Sequence, residues 1–194
     1  MELPNSTKKL HNWQLGPCSR SGKVTLRRAL EVSCNTAFAW LGMKLGADAI
    51  QRQAEAFGFN DSFEIPLVAA ASVFPTGLDG AQTAMSSIGQ FDVRATALQM
   101  ALVTAAITNQ GNLMYPHLVR NVRSNDLTVI ETTAPALVRS AMSPTNAAIL
   151  LDMMRSVVVT GIPSWRAKSA PFSPSGVRPS NLRMRQALRR LGMT

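Results

Sequence analysis

The sequence predicts an α+β fold that is mainly helical, with a few strands. Apolar residues recur at helical spacing in several short segments, most clearly in residues 96–109, where Leu98, Leu102 and Ala105 share one side. Residues 127–132 instead carry the β-branched residues that favour strands. A length of 194 residues and a hydrophobic content of 46% suit one domain, or part of a larger one.

The first third of the chain predicts a polar loop followed by three short helices. The loop covers residues 1–23, with one short strand at most, because prolines and glycines interrupt it. Polar residues at helix starts and glycines at helix ends set the bounds of the helices. The first starts after Thr25, the second covers about residues 36–45 before Gly46, and the third covers residues 49–57 between Asp48 and Gly58.

The remainder predicts one long helix, two strand segments and a last helix. Residues 66–80 are loop-rich, and the helix over residues 96–109 ends at Gln110-Gly111. Strand-like residues then occupy residues 112–123 and 127–132. Ser143-Pro144-Thr145 opens the last helix, residues 146–158, with the proline near its first turn.

The net charge of +9 belongs to the end of the chain. Eight of the 20 Lys and Arg residues follow Asp152, and no acidic residue does. The main body is therefore close to neutral, and no nucleic-acid partner is expected for it. Residues 161–194 are predicted to be a basic Pro/Ser/Arg-rich tail, either disordered or read out of frame.

The cysteines, the histidines and the start of the chain bear on disulfides, metal sites and membrane or export segments. Cys18 and Cys34 can form a disulfide only outside a reducing compartment, and two buried free thiols are the favoured interpretation. His11 and His117 are too isolated for a metal site, so neither metal nor cofactor is expected. Neither a signal peptide nor a transmembrane segment is recognised, which predicts a cytoplasmic chain if it is expressed as given.

The triplet Ser33-Cys34-Asn35 and residues 87–119 carry the most specific pattern in the chain. The second stretch reads Ser-Ile-Gly-Gln-Phe-Asp-Val-Arg-Ala-Thr-Ala-Leu-Gln-Met-Ala, continues as an apolar helix, and reaches Asn109-Gln-Gly and Pro116-His-Leu-Val. This order closely resembles penicillin-binding proteins, most closely the class B enzymes of actinobacteria. The resemblance covers roughly residues 1–159, and it implies a fragment of the penicillin-binding protein/serine β-lactamase-like transpeptidase fold, mainly its helical part.

The resemblance implies serine acyl transfer in peptidoglycan crosslinking of the cell wall. Three motifs build such a site, Ser-x-x-Lys, Ser-x-Asn and Lys-Thr-Gly, because a serine nucleophile needs a neighbouring base. The implied catalytic residues are Ser33, as a proton-relay hydroxyl, and Asn35, which also binds the substrate amide. The implied partners are the stem peptide and β-lactams, and the family is anchored in the cytoplasmic membrane, facing outward.

The nucleophile motif of the family is not recognised in this chain. Ser6-Thr7-Lys8-Lys9 matches Ser-x-x-Lys formally, but it lies in a polar loop without apolar periodicity, so a surface loop is the better interpretation. Ala97 replaces a usual proline at the start of the long helix. Phe91 replaces a usual glycine, and a bulky side chain there is disfavoured if the backbone needs a positive φ.

The third motif is also altered. Lys168-Ser169-Ala170 only approximates Lys-Thr-Gly. Back-translation in a frame shifted by two bases permits Val-Ala-Gly-Lys-(Ile/Val)-Gly-Thr, which suggests a frameshift just before Ile162; the nucleotide sequence tests this. We therefore expect residues 1–160 to be a partial transpeptidase domain that is inactive alone. The alternative is a non-enzymatic scaffold whose basic tail binds an anionic polymer or surface.

Overall fold

A computed structural model describes residues 1–12 and 16–160. Their order is three helices, a long loop, two more helices, four short strands and a last helix. The elements are α1 (Leu26–Glu31), α2 (Asn35–Leu45), α3 (Ala47–Ala56), α4 (Gly80–Ser86), α5 (Ala97–Thr108), β1 (Asn112–Met114), β2 (Asn121–Arg123), β3 (Val129–Thr132), β4 (Leu137–Ser140) and α6 (Pro144–Thr160). The predicted α+β class, mainly helical with a few strands, is confirmed. The predicted tail, including Lys168 to Ala170, lies outside the described residues.

Local signals place most of the helices where the sequence predicts them. The side chain of Thr25 accepts a hydrogen bond from the amide of Arg28 and caps α1. Thr96 caps α5 in the same way, through the amide of Gln99. The prediction that Asp48 caps α3 is wrong, because the helix starts two residues earlier, with Gly46 at its N-cap. Asp48 lies in the first turn instead, where its charge suits the helix dipole.

The four strands form two antiparallel pairs, one inside the other along the chain. β1 pairs with β4, and β2 pairs with β3 as a hairpin between them. β4 was not predicted from the sequence. It is held by Arg139, whose guanidinium donates to the carbonyl of Glu55 at 2.8 Å and pairs with the carboxylate of Asp61 at 2.5 Å.

The hydrophobic core lies between α5 and β1. Phe63, Leu102, Ala106 and Leu113 are buried together. The buried amide of Gln99 donates to the carbonyl of Phe57 at 2.7 Å, which fixes α5 against the end of α3. A buried side-chain amide with a partner of this kind fixes helix position without leaving a polar group unpaired. The long helix α5 therefore packs as part of the scaffold.

Phe91 has a positive φ of +66°. It follows the Gly89-Gln90 turn at the end of α4 and is half exposed. A side chain with a Cβ is strained in this conformation, typically by about 1–2 kcal/mol. The backbone at this position therefore does have the positive φ that disfavours a bulky residue such as Phe91.

We expect Phe91→Gly to raise the free energy of unfolding by about 0.5–1 kcal/mol, because glycine adopts positive φ without strain. Phe91→Ala is the matched control, since it removes the ring but keeps the Cβ. Urea denaturation of the three chains measures the difference. Equal stability of the alanine and glycine variants would contradict the expected strain.

Candidate functional site

Ser33 lies in the turn that ends α1 and leads into α2. The amide of Cys34 donates to the carbonyl of Ala29 at 2.8 Å, and the amide of Ser33 donates to that of Leu30 at 3.1 Å. These two bonds are the Schellman pattern of a helix end, in which the residue after the C-cap adopts the left-handed conformation. Ser33 is that residue, with φ of +52°.

A serine is unusual at this position. Among residues 1–12 and 16–160, two other helices end with the same pair of hydrogen bonds, and there the left-handed residue is Gly58 or Gly89. Only glycine takes this conformation freely, so Ser33 carries a strain of about 1–2 kcal/mol. Strained residues of this kind cluster at functional sites. Ser33 is therefore an exposed serine in a turn that a glycine would make more stable.

We expect Ser33→Gly to be more stable than Ser33→Ala by about 1 kcal/mol, because both lose the hydroxyl but only alanine keeps the strained Cβ. Thermal unfolding of the two variants tests this. If the alanine variant is equally stable, the turn relaxes and Ser33 stores no strain.

Cys34 is bonded to Cys18, which corrects the expectation of two free thiols. The Cα atoms are 5.8 Å apart, and Cys34 is buried at the start of α2. A spacing of 16 residues does not reveal this proximity, which arises because His11, Asn12 and Cys18 all contact the start of α2. The central residue of the Ser-x-Asn triplet is thus buried and joins the triplet to Cys18.

Asn35 is the first residue of α2 and is partly buried. Its amide nitrogen donates to the carbonyl of His11 at 3.2 Å. The next amide along the helix, that of Thr36, donates to Oδ1 of Asn12 at 2.9 Å. The structure therefore brings Ser33 and Asn35 to one helix junction, and it adds the carbonyl of His11 and the side chain of Asn12, which the sequence did not place there.

The other side of the junction is held by α6. Arg27 of α1 pairs with Asp152 of α6 at 2.5 Å. Within α1, Arg28 pairs with Glu31 at 3.2 Å. The hydrogen bond from Arg28 lowers the pKa of the Glu31 carboxyl, and the hydroxyls of Ser156 and Thr160 lower it further. The last residue of α1 is therefore favoured in its charged form next to α6.

This lowered pKa predicts acid sensitivity of the junction. A carboxyl with a pKa lower in the folded than in the unfolded chain contributes stability above its unfolded pKa and loses it as the pH falls through the folded pKa. We expect Glu31→Gln to reduce the drop in melting temperature between about pH 5 and pH 3. Glu64→Gln, at an exposed loop carboxylate, is the control. If the melting temperature of Glu31→Gln falls as steeply with pH as that of the unchanged chain, this prediction is refuted.

Ser6 and Lys9 do not form a nucleophile and base pair. Both are exposed, and Lys9 pairs with Glu2 at 3.3 Å. The hydroxyl of Ser6 accepts a hydrogen bond from the amide of Lys8 at 3.1 Å. Residues three apart share a face in a helix, but these lie in a loop.

Neither a metal site nor a membrane span is found in the part of the chain that the structure describes. Residues 1–12 and 16–160 contain no group of three or more His, Cys, Asp or Glu side chains that could hold a metal ion. Among the same residues, none of the helices has both the length and the apolar character to cross a bilayer.

Comparison with known proteins identifies the family. Residues 2–176 match the model of the penicillin-binding protein transpeptidase domain. The chain is 44% identical over 153 residues to peptidoglycan D,D-transpeptidase PbpA of Mycolicibacterium smegmatis, and 42% identical to PbpA of Mycobacterium tuberculosis. Each alignment covers 78% of this chain and 31% of the relative, so the chain spans about a third of these relatives.

Solved structures agree with the sequence comparison. The crystal structure of PbpA from Mycobacterium tuberculosis superposes with a TM-score of 0.79 at 41% identity, covering 82% of this chain and 37% of that one. Its ceftriaxone acyl-enzyme complex gives a TM-score of 0.81 at 40% identity, with 84% and 37% coverage. The D,D-transpeptidase domain of a peptidoglycan glycosyltransferase from Eggerthella lenta gives 0.74 at 31% identity, with 83% and 42% coverage. The chain belongs to the family of penicillin-binding protein transpeptidase domains.

Proposed function

We propose that this chain carries the Ser-x-Asn part of a peptidoglycan D,D-transpeptidase site. The observation that carries the proposal is the α1–α2 junction, where an exposed serine is held in a strained conformation beside a fixed asparagine. The identity with PbpA proteins over 153 residues supports assigning that junction to acyl transfer. Structures of PbpA acyl-enzymes with ceftriaxone, imipenem and penicillin G support β-lactams as ligands of the complete site.

The proposed roles follow from the chemistry of each group. Ser33 passes a proton between the reacting amine and the catalytic base, which a hydroxyl does well because it donates and accepts at once. Asn35 binds the amide of the stem peptide through its carboxamide. Its nitrogen is already engaged with the carbonyl of His11, so its Oδ1 is the atom that faces a substrate N–H.

We propose that the chain does not acylate itself. The one Ser-x-x-Lys match, at Ser6 and Lys9, is an exposed loop in which Lys9 pairs with Glu2. A fluorescent penicillin incubated with the full chain is expected to leave no covalent label on a denaturing gel. A labelled band that is lost in Ser6→Ala would overturn this part of the proposal.

A hybrid enzyme tests the roles of the two residues directly. In it, the segment of this chain that aligns over 153 residues replaces its counterpart in PbpA of Mycolicibacterium smegmatis. The hybrid is expected to bind fluorescent penicillin covalently. Ser33→Ala should lower the acylation rate by about 100-fold, the usual contribution of a positioned proton-transfer group. Asn35→Ala should weaken binding before acylation by about tenfold, since it removes a substrate hydrogen bond.

Matched controls separate these roles from a loss of folding. Ser62→Ala and Asn125→Ala make the same changes at exposed loop positions and should leave the rate unchanged. A hybrid that acylates equally fast with Ser33→Ala would refute the relay role.

The alternative of a basic-tailed scaffold depends on residues 161–194, which lie outside the described structure. Deleting that tail and measuring salt-sensitive binding to an anionic polymer would test it.

A further inference from the structure

The start of α2 lacks a side-chain cap of its own. Cys34 occupies the N-cap position and makes no capping hydrogen bond, because its sulfur is committed to the bond with Cys18. A helix start without a cap leaves several backbone amides unpaired. Asn35 is the first residue of this helix, so any fraying there moves the proposed substrate-binding side chain.

Asn12 supplies the missing cap from 24 residues away. Its Oδ1 accepts a hydrogen bond from the amide of Thr36, the second residue of α2, at 2.9 Å. Its Nδ2 donates to the carbonyl of Gly16 at 3.0 Å. The two bonds use opposite ends of the carboxamide, so each fixes the orientation that the other requires. Asn12 thereby occupies the role that an N-cap Ser, Asp or Asn has within a helix.

The same segment also holds Asn35 itself. His11, the neighbour of Asn12, accepts a hydrogen bond from the Asn35 side chain through its carbonyl. A shift of Asn12 therefore displaces the carbonyl that orients Asn35. The disulfide between Cys18 and Cys34 adds a covalent link to the same triplet.

We propose that Asn12 is a positioning residue for the Ser-x-Asn motif: it caps α2 from a distant loop and holds Asn35 in its working orientation. The part concerning Asn35 rests on the proposed function, whereas the capping does not.

Two substitutions at Asn12 distinguish the loss of the capping hydrogen bond from a general loss of stability. Asn12→Ala removes both hydrogen bonds. Asn12→Asp keeps the acceptor for the Thr36 amide and adds a charge that the helix N-terminus favours, but it loses the donor to Gly16. Asn125→Ala, on the exposed β2–β3 turn, is the control. Free-thiol titration confirms that the disulfide has formed in every variant.

Amide hydrogen exchange in the full 194-residue chain tests the cap without any activity. We expect Asn12→Ala to accelerate exchange of the Thr36 amide by about fivefold to tenfold, the size of a typical N-cap loss. Asn12→Asp should keep the rate within about threefold of the unchanged chain. The side-chain amide resonances of Asn35 should shift in Asn12→Ala.

The acylation rate of the hybrid enzyme tests the positioning. Asn12→Ala should lower it by about tenfold, since small displacements of reacting groups are costly, and Asn12→Asp should restore most of it. Faster exchange with an unchanged acylation rate would make Asn12 merely structural and overturn the inference. Unchanged Thr36 exchange, or an aspartate variant that behaves like alanine, would overturn it too. A failure of the proposed function is seen separately, because the hybrid would then acylate equally fast with Ser33→Ala.

Discussion

Replacing Gly111 with alanine is expected to cause a large loss of stability. Gly111 follows α5, is buried and has φ of +87°. A Cβ there would overlap the carbonyl oxygen of Met142 and lie 2.9 Å from its carbonyl carbon. These are backbone atoms, which cannot swing aside as the end of a side chain can. We expect a loss of about 3–4 kcal/mol, the sum of conformational strain and overpacking.

Gly89→Ala is the matched control for this change. Gly89 also has a positive φ, +72°, but a Cβ there would meet no atom within 4 Å. It should cost only the conformational strain, about 1–2 kcal/mol. Chemical denaturation of both variants measures the two terms separately. If they lose equal stability, the contact with Met142 relaxes at no cost and the expected overlap is absent.

Replacing Gly42 with alanine is expected to destabilise the chain, although the same change usually stabilises a helix interior by about 0.5–1 kcal/mol. Gly42 is buried where α2 crosses α4. A Cβ there would overlap the hydroxyl of Ser87 and lie 2.5 Å from its Cβ. That hydroxyl donates to the carbonyl of Thr83 at 2.6 Å, so it cannot rotate away without losing the bond. We expect a net loss of about 2 kcal/mol.

A double-mutant cycle tests the origin of that loss. Ser87→Gly removes the two atoms that the new Cβ would overlap, and leaves Cδ1 of Ile50 at 3.3 Å, the end of a side chain that can shift. We expect Gly42→Ala to be close to neutral in that background, which gives a coupling of about 1–2 kcal/mol. If the two changes are additive, the close crossing of α2 and α4 does not depend on Ser87.

Local signals in the sequence account for much of the fold. The cap Thr25, the glycine ends Gly46 and Gly58 and the apolar spacing in residues 96–109 predicted helix positions to within about two residues. α4 was not predicted because its buried residues are small or polar and show no apolar period. The pair Asp79 and Gln82 is a capping-box signal that would have found it. β4 has no comparable signal, because it is defined by pairing with β1.

The candidate site was predictable only in part. The triplet Ser33-Cys34-Asn35 was found through its resemblance to a family, and Phe91 was recognised as a departure from it. The disulfide to Cys18 and the cap from Asn12 depend on a segment that meets α2 only in the folded chain. Periodicity within one element cannot report contacts between segments that are far apart in sequence. The positive φ of Ser33 likewise follows from how α1 and α2 meet.

The ion pair between Arg27 and Asp152 spans 125 residues of sequence. A ribosome adding about 5–20 residues per second needs about 6–25 s to cross that interval. During this time α1 has been made, but α6, its packing partner, has not. The turn that carries Ser33 can close locally from the start, since its hydrogen bonds join neighbours. The contact with α6 forms only after residue 152 has been made, so during synthesis the turn forms before the ion pair that supports it.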